Sequence, residues 1–283
     1  SEHMFSVRTR SADEEYGNGV HQWYCGMQDA GGVLQKGPWV GNRFHWYCLF
    51  DNEDYRITKG VKHRFQYDSQ VKNGRGYYYP GTPEYKLMAT GKNMDDVKVQ
   101  EPVAPFNDGL TYTNSISSNC LAFTTKYADV TDPTIGRTDA YWPFLRYADI
   151  VLIYAEAQCE LNDGISQDAI DALNDIRIRS NAKEASVTGD GAIETKVELR
   201  SVIFEERAKE LAYEGDRRWD LLRWGIYLDV MNSLGGINED GTRTPYDEGS
   251  INKRREFRHL LYPLPSLEVS TNMAIDKNNP GWN

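Results

Sequence analysis

Long apolar runs are missing from this chain. No stretch of about eighteen consecutive apolar residues occurs in its 283 residues, so no transmembrane helix is encoded. The first ten residues are polar and mixed, without the basic start and apolar centre of a secretion signal. Positive charge is also scarce: 32 Lys and Arg stand against 42 Asp and Glu, a formal net charge of −10. That balance argues against a nucleic-acid partner, whose phosphates are met by clustered Lys and Arg. The basic clusters Arg217-Arg218 and Lys253-Arg254-Arg255 are short and lie among acids and aromatics, which suits local ion pairs. Cysteine is sparse, and Cys25, Cys48, Cys120 and Cys159 are scattered, with no CxxC pair. A zinc site is therefore not expected, and no metal or cofactor is called for. Two disulfides are permitted but not demanded, and Cys159, on an apolar helix, reads as a buried thiol. His3, His21, His45, His63 and His259 stand alone, so no Ser-His-Asp or Cys-His arrangement can be built. Nor does any Gly-rich loop lead into a helix as a phosphate cradle requires.

What the chain does hold is aromatic residues, seven Trp and eighteen Tyr, many of them in Gly-rich polar stretches. Aromatics usually go to the core, so an excess in loops points to a flat stacking surface for a ligand. Residues 1–136 lack helical periodicity. Gly17-Asn18-Gly19, Gly31-Gly32, Asn73-Gly74-Arg75-Gly76 and Tyr79-Pro80-Gly81 punctuate them, with short runs such as Arg64-Phe65-Gln66-Tyr67 and Ala122-Phe123-Thr124 between. This predicts long loops with a few short strands, a region whose loops are of the functional kind. Phe44–Phe50 reads as a short helix. The acidic run Asp51 to Arg56 lacks the Gly and the closing Glu of a calcium loop and reads as a solvated turn.

From residue 137 to about 235 the pattern becomes helical, starting from Tyr141 and Trp142. Ile150, Ile153, Tyr154, Ala157 and Leu161 recur three and four apart, with Val151, Leu152 and Ala155 opposite, which predicts a helix buried on most sides. Gly164 suits a left-handed cap at its end, and Ser166 caps a second helix whose Ala169, Ala172, Leu173 and Ile176 face one way. The pair resembles one tetratricopeptide-type unit, which cannot bury its own faces and needs partners on both sides. Thr195-Lys196-Val197-Glu198 is a capping box for a third helix, along which Leu199, Ile203, Glu206 and Glu210 form one stripe, with Arg207 placed to reach Glu210. Gly215 ends that helix and Asp216 caps a short segment carrying Trp219, Leu222 and Arg223. Residues 236–283 are an irregular tail with one expected strand, Phe257 to Leu264.

Glu206, Glu210, Glu214 and Asp220 invite a two-carboxylate glycosidase reading. Beside Arg207, Arg217, Arg218 and Arg223, the ion-paired structural reading is preferred, and likewise for Arg146 and Asp149. A hydrolase would instead have to use Asp51, Glu53 and Asp54. Ligand contact is assigned to the loops: Trp23, Tyr24 and Trp39 with Arg43, and Tyr77, Tyr78 and Tyr79 with Arg75. Sugar rings have apolar faces that stack on aromatics, and their hydroxyls need donors of this kind.

Three motifs add a resemblance. They are Phe144-Leu145-Arg146-Tyr147-Ala148-Asp149-Ile150-Val151-Leu152-Ile153-Tyr154-Ala155-Glu156-Ala157; Glu206-Arg207-Ala208-Lys209-Glu210-Leu211 through Glu214-Gly215-Asp216-Arg217-Arg218-Trp219-Asp220-Leu221-Leu222-Arg223-Trp224-Gly225; and Leu261-Tyr262-Pro263-Leu264-Pro265 with Asn279-Pro280-Gly281-Trp282. In this order they resemble the C-terminal half of the SusD/RagB family, surface lipoproteins of Bacteroidetes. The departures are a slight shift of spacing at Asp216-Arg217 and Trp282 in place of Tyr. The resemblance implies a mainly α fold with long irregular loops and a few short strands, around a tetratricopeptide-type helical pair. It also implies an N-terminal helical half, with a lipidated Cys, that is absent from this chain. An exposed apolar face is then expected where that half docks. The implied function is non-enzymatic capture of a nutrient, usually an oligosaccharide, at the outer-membrane surface, for delivery to a TonB-dependent SusC-like transporter. A structural or docking module, and less favourably a glycoside hydrolase, remain as alternatives.

Overall fold

The computed structural model describes residues 2–10, 19–25, 27–28, 34–36, 46, 49–51, 53–62, 64–66, 73–76, 111–114, 123–128, 137, 139–233, 255–275 and 277–282. They fall into two compact units, Ser1–Glu214 and Gly215–Asn283.

In the first unit, strand β1 (His3–Val7) precedes α1 (Val20–Cys25), β2 (Met27–Gln28) and β3 (Leu34–Lys36). Helix α2 (Tyr55–Thr58) and strands β4 (Val61–Lys62), β5 (Arg64–Gln66), β6 (Asn73–Gly76), β7 (Thr111–Asn114) and β8 (Phe123–Thr124) follow. Strand β9 (Trp142–Arg146) then leads into α3 (Tyr147–Leu161), α4 (Gln167–Arg179) and α5 (Lys196–Glu210). The strands form small separate sheets, β1 with β9, β2 with β3, β4 with β8, and β5-β6-β7. In the last of these β6 runs antiparallel to β5 and parallel to β7. The fold is thus helical at its centre with short strands around it, as the punctuated loops predict. Both β5 and β8 fall within the runs expected to be strands.

The core lies among the three long helices. Ala148, Val151, Leu152, Ala155 and Cys159 of α3 pack on Ala169, Ile170, Ala172, Leu173 and Ile176 of α4 and on Leu199 and Ile203 of α5. The alanines let these helices approach closely. Ser166 Oγ accepts from the Ala169 amide, and Thr195 with Glu198 forms the expected capping box.

Several local expectations are corrected. Residues 142–146 are a strand, because β1 supplies its partner: Val7 lies opposite Trp142 and His3 opposite Arg146. Helix α3 begins only at Tyr147 and is buried on one side; Ile150, Ile153, Tyr154 and Leu161 are exposed, because α4 and α5 cover only the other face. Gly164 is not left-handed: Asn162 at the helix end is extended. The last carbonyls of α3 are instead met by Asn162 Nδ2, on Gln158 O, and by Lys196 Nζ, on Glu160 O. The acidic run after Phe50 is solvated at Asp51 and Glu53, as read, but Asp54 is fully buried, caps α2 and grips Arg56. Cys25 and Cys159 are buried free thiols, which removes the two-disulfide option; Cys48 and Cys120 lie outside the described residues. Of the proposed helix Phe44–Phe50 only Trp46, Leu49 and Phe50 are described.

The second unit holds α6 (Arg217–Arg223), α7 (Tyr227–Ser233), a 3-10 turn (Phe257–Leu260) and α8 (Ser266–Thr271). Gly215 takes φ +103, a conformation that suits glycine, and so breaks the chain where expected. Asp216, however, is itself helical and makes no side-chain cap bond. The strand expected over Phe257 to Leu264 is absent: the Glu256 amide bonds to His259 Nδ1 and curls the segment into the 3-10 turn. Within this unit the Arg218 guanidinium lies between the Tyr227 and Tyr262 rings, 4.7 and 4.5 Å from their centroids.

Candidate functional site

The densest polar chemistry gathers where α5 ends. Its register places Glu206 and Glu210 one turn apart on the buried face, and Glu214 follows in the turn beyond. Glu206 accepts from Arg56 Nη1 at 2.6 Å and from Arg177 Nε at 2.8 Å. Glu210 accepts from Arg179 Nη2 at 2.6 Å, and from Arg56 Nη1 and both terminal nitrogens of Arg146 at 3.1 Å. Glu214 accepts from Arg146 Nε at 2.7 Å and from Lys126 Nζ. Glu2 joins through Arg146 and Arg179, and Asp54 through Arg56. Among the described residues the network holds five cations, Arg56, Lys126, Arg146, Arg177 and Arg179, and five carboxylates, Asp54, Glu2, Glu206, Glu210 and Glu214. Lys126 Nζ also donates to the carbonyls of Glu210 and Ala212 at 3.0 Å, placing a cation at the negative end of α5.

This network corrects one expectation and supports another. The carboxylates are ion-paired, as preferred, and among the described residues of the first unit their partners are Arg56, Lys126, Arg146, Arg177 and Arg179. Arg207 Nη1 donates instead to Asp149 at 2.8 Å. Asp220 with Arg223, 3.0 Å apart, keeps the partner proposed from spacing. The buried face of α5 is met instead by residues brought from β9, α2 and α4.

The electrostatics do not suit acid–base catalysis. Burial by itself would push the Glu210 carboxyl up, but Arg146, Arg179 and Arg56 outweigh it and hold it at about 2. A glycosidase needs one carboxyl kept protonated near neutrality and a second facing it across a cleft. Asp54, one of the alternative carboxylates, is paired with Arg56 at 2.7 Å. No group of three or more metal-binding side chains occurs among the described residues.

Beside the network lies a cavity of about 140 Å³ lined in part by Trp46, Thr124, Lys126, Lys209 and Tyr213. It is smaller than the ~300–1,000 Å³ of typical ligand clefts. Its aromatic wall is fixed: Trp46 donates its indole N–H to Ala208 O at 2.8 Å and meets the Tyr213 ring edge-on at 5.7 Å. Tyr213 adopts φ +68, unusual for a bulky residue, and its carbonyl accepts from the Tyr127 hydroxyl at 2.8 Å. Tyr127 in turn stacks on Trp142, with ring planes 10° apart.

Of the residues assigned to ligand contact, Tyr24 belongs to this aromatic cluster, its ring 5.4 Å from both Tyr127 and Tyr213. Trp23, next to it on α1, is 47% exposed and packs beside Gly19. Arg75 is described in its backbone alone, on β6 opposite Phe65 of β5. Trp39, Arg43, Tyr77, Tyr78 and Tyr79 lie outside the described residues. Trp46, Lys126, Tyr127 and Tyr213 were not singled out from the sequence. The sequence signal nearest their meeting place is Gly215, read as the end of the third helix.

The profile of the SusD family matches residues 40–282. The chain belongs to the SusD family. This SusD-family chain is 33% identical over 142 residues to SusD-like protein P2 of Formosa agariphila, a match covering 49% of the chain and 25% of that protein. Its fold is similar to that of a SusD homologue from Bacteroides thetaiotaomicron, with a TM-score of 0.63 and 20% identity, over 99% of this chain and 52% of the other. It is also similar to a SusD-like carbohydrate-binding protein from Bacteroides fragilis, with a TM-score of 0.57 and 21% identity, over 95% and 53% of the two chains. The chain thus spans about half the length of these solved relatives. No helix among the described residues is long and apolar enough to cross a membrane.

Proposed function

We propose that this chain is the C-terminal half of a cell-surface binding protein that captures an oligosaccharide without chemical change. In this reading residues 1–136 carry the ligand-binding loops, residues 137–235 the helical scaffold, and residues 236–283 an irregular tail. An N-terminal helical half, lipid-anchored to the outer membrane, completes the protein, and a TonB-dependent SusC-like transporter receives the nutrient. The observation that carries this reading is membership of the SusD family over residues 40–282. Two further points support it: one relative of similar fold is described as carbohydrate-binding, and every carboxylate at the end of α5 is compensated by a cation. Affinity would come from stacking on Trp23, Tyr24, Trp39, Tyr77, Tyr78 and Tyr79, with donors from Arg43 and Arg75.

Affinity electrophoresis against plant, host and microbial polysaccharides tests it, with Trp39→Ala and Tyr78→Ala run beside the parent. Retardation on one glycan, weakened in a variant, is the expected result. No retardation with either the 283-residue chain or the full-length protein would reject glycan capture.

A further inference from the structure

The three-stranded sheet β5-β6-β7 brings residues far apart in sequence into rows across its strands. One row is Arg64, Gly76 and Asn114, and a second row on the same face is Gln66, Gly74 and Tyr112. Phe65, Arg75 and Thr113 form the row between them, on the other face. The first face therefore carries Arg64 and Gln66 on one outer strand, Tyr112 and Asn114 on the other, and only glycine on the strand between. Glycine inside a strand packs nothing and commonly marks a place where another group comes close to the backbone. The outer strands of such a sheet lie roughly 9–10 Å apart, two strand spacings, so β6 is the floor of a shallow trough with a polar strand on each side.

The residue types on this face fit a sugar chain, and their charge fits an acidic one. Gln66 and Asn114 offer amides to hydroxyls, Tyr112 a ring to the apolar side of a sugar, and Arg64 a planar fork suited to a carboxylate or sulfate. None of the six residues is acidic, and none is aliphatic as a face built for packing would require. The surrounding stretch also departs in sign from the rest of the chain. Residues 59–76 hold Lys59, Lys62, Arg64, Lys72 and Arg75 against Asp68, whereas the chain as a whole has a formal net charge of −10. A chain of that charge repels polyanions in general, so positive charge gathered beside hydrogen-bonding residues is what would select one.

We propose that this face of the β5-β6-β7 sheet is a subsite for an anionic sugar unit, with Arg64 taking its carboxylate or sulfate group. Gln66, Asn114 and Tyr112 hold the ring, and Gly74 and Gly76 let it lie close to β6. The assignment rests on the reading above that the chain captures a glycan, and it narrows that reading to acidic glycans. It adds Arg64, Gln66, Tyr112 and Asn114 to the residues proposed for ligand contact.

The test is affinity electrophoresis of the 283-residue chain in gels containing polygalacturonate or carrageenan. Each is run beside its neutral counterpart, carboxyl-reduced polygalacturonate or desulfated carrageenan. One acidic polymer is expected to bind at least ~10-fold tighter than its neutral counterpart, with the preference shrinking as salt rises. Preference for polygalacturonate identifies a carboxylate ligand, and preference for carrageenan a sulfate. Arg64→Gln should remove the preference, and Arg64→Lys should restore only part of it, because an ammonium lacks the fork. Arg200→Gln, which removes the same charge from the surface of α5, should leave it unchanged. Gly76→Thr fills the floor without changing charge and should weaken the acidic polymer as well. Equal retardation by an acidic polymer and its neutral counterpart overturns the proposal and leaves glycan capture standing. An equal loss in Arg64→Gln and Arg200→Gln does the same. Retardation by neither acidic polymer also overturns it, whatever a neutral glycan does.

Discussion

Arg146 and Glu210 lie 64 residues apart in sequence, yet both terminal nitrogens of the Arg146 guanidinium sit 3.1 Å from one oxygen of Glu210. The same guanidinium reaches Glu214 through its Nε at 2.7 Å and the Glu210 carbonyl at 3.0 Å. Arg146 therefore ties the strand that leads into α3 to the end of α5. Removing one partner of a buried pair leaves the other charged and desolvated, at a typical cost of ~3–5 kcal/mol. Glu210→Gln and Arg146→Ala should each lower unfolding stability by about that much in urea titrations. Arg146→Lys should recover little, because an ammonium cannot span the same fork of acceptors. Glu160→Gln is the control. Glu160 is 45% exposed on its side chain and pairs with Arg200 at the surface, so its loss should cost less than ~1 kcal/mol.

The same network sets an acid limit to stability. Glu210 is held at about 2 in the fold, against an ordinary carboxylate value near ~4.3 in the unfolded chain. A depressed carboxyl contributes stability that is complete above its unfolded value and is lost as pH falls toward the folded one. The Glu210 contribution to the urea midpoint should therefore hold down to about pH 5 and fall steadily toward pH 2. Glu210→Gln should start from a lower midpoint and fall less steeply. An equally steep fall in the variant would assign the acid limb to other groups.

His21 gives a second, milder pH dependence. It is 1% exposed, and its Nδ1 lies 3.1 Å from the Tyr127 carbonyl, which can only accept; Nδ1 therefore carries the proton. Among the described residues its buried Nε2 has no hydrogen-bond partner, so protonation there would leave a charged N–H unsatisfied. Burial lowers the His21 value, and the Tyr127 bond opposes that only in part. Stability is complete above the unfolded histidine value of ~6.5 and declines as pH falls through the lower folded one. Urea midpoints at pH 7.5 and 5.5 should differ in the parent, and the difference should shrink in His21→Gln.

Local signals made the helices legible, and distant pairings hid the rest. Thr195 and Glu198, or Ser166 and Ala169, sit three residues apart and can be read as caps in any chain. The buried stripe Leu199-Ile203-Glu206-Glu210 also follows from spacing alone. Arg56 meets Glu206 across 150 residues and Lys126 meets Glu214 across 88, and no periodicity announces such partners. The strand at Trp142 was missed for the same reason, because its partner is β1 near the start of the chain. The open row Tyr147-Ile150-Tyr154 has a further cause. Spacing read Ile150, Ile153, Tyr154 and Leu161 of the same helix as buried, but they are exposed, and nothing among the described residues covers them. In the candidate site, composition alone could not separate a loop aromatic that pins its own domain from one that waits for a ligand.

Trp23 and Tyr24 make that distinction measurable within one turn of α1. Tyr24 contacts the Tyr127 and Tyr213 rings, whereas Trp23 remains 47% exposed. Truncating a packed aromatic removes its buried area and leaves a void, at about 3 kcal/mol or more where burial is complete and somewhat less here. Tyr24→Ala should therefore lower the thermal midpoint by several degrees. Trp23→Ala should leave it nearly unchanged, since exposed substitutions usually fall within about 0.5 kcal/mol. In affinity electrophoresis the order should reverse if α1 borders the glycan site: Trp23→Ala should weaken retardation while Tyr24→Phe, which keeps the ring, should not. Unchanged retardation in Trp23→Ala would move the stacking surface away from α1, to the aromatic run that follows β6.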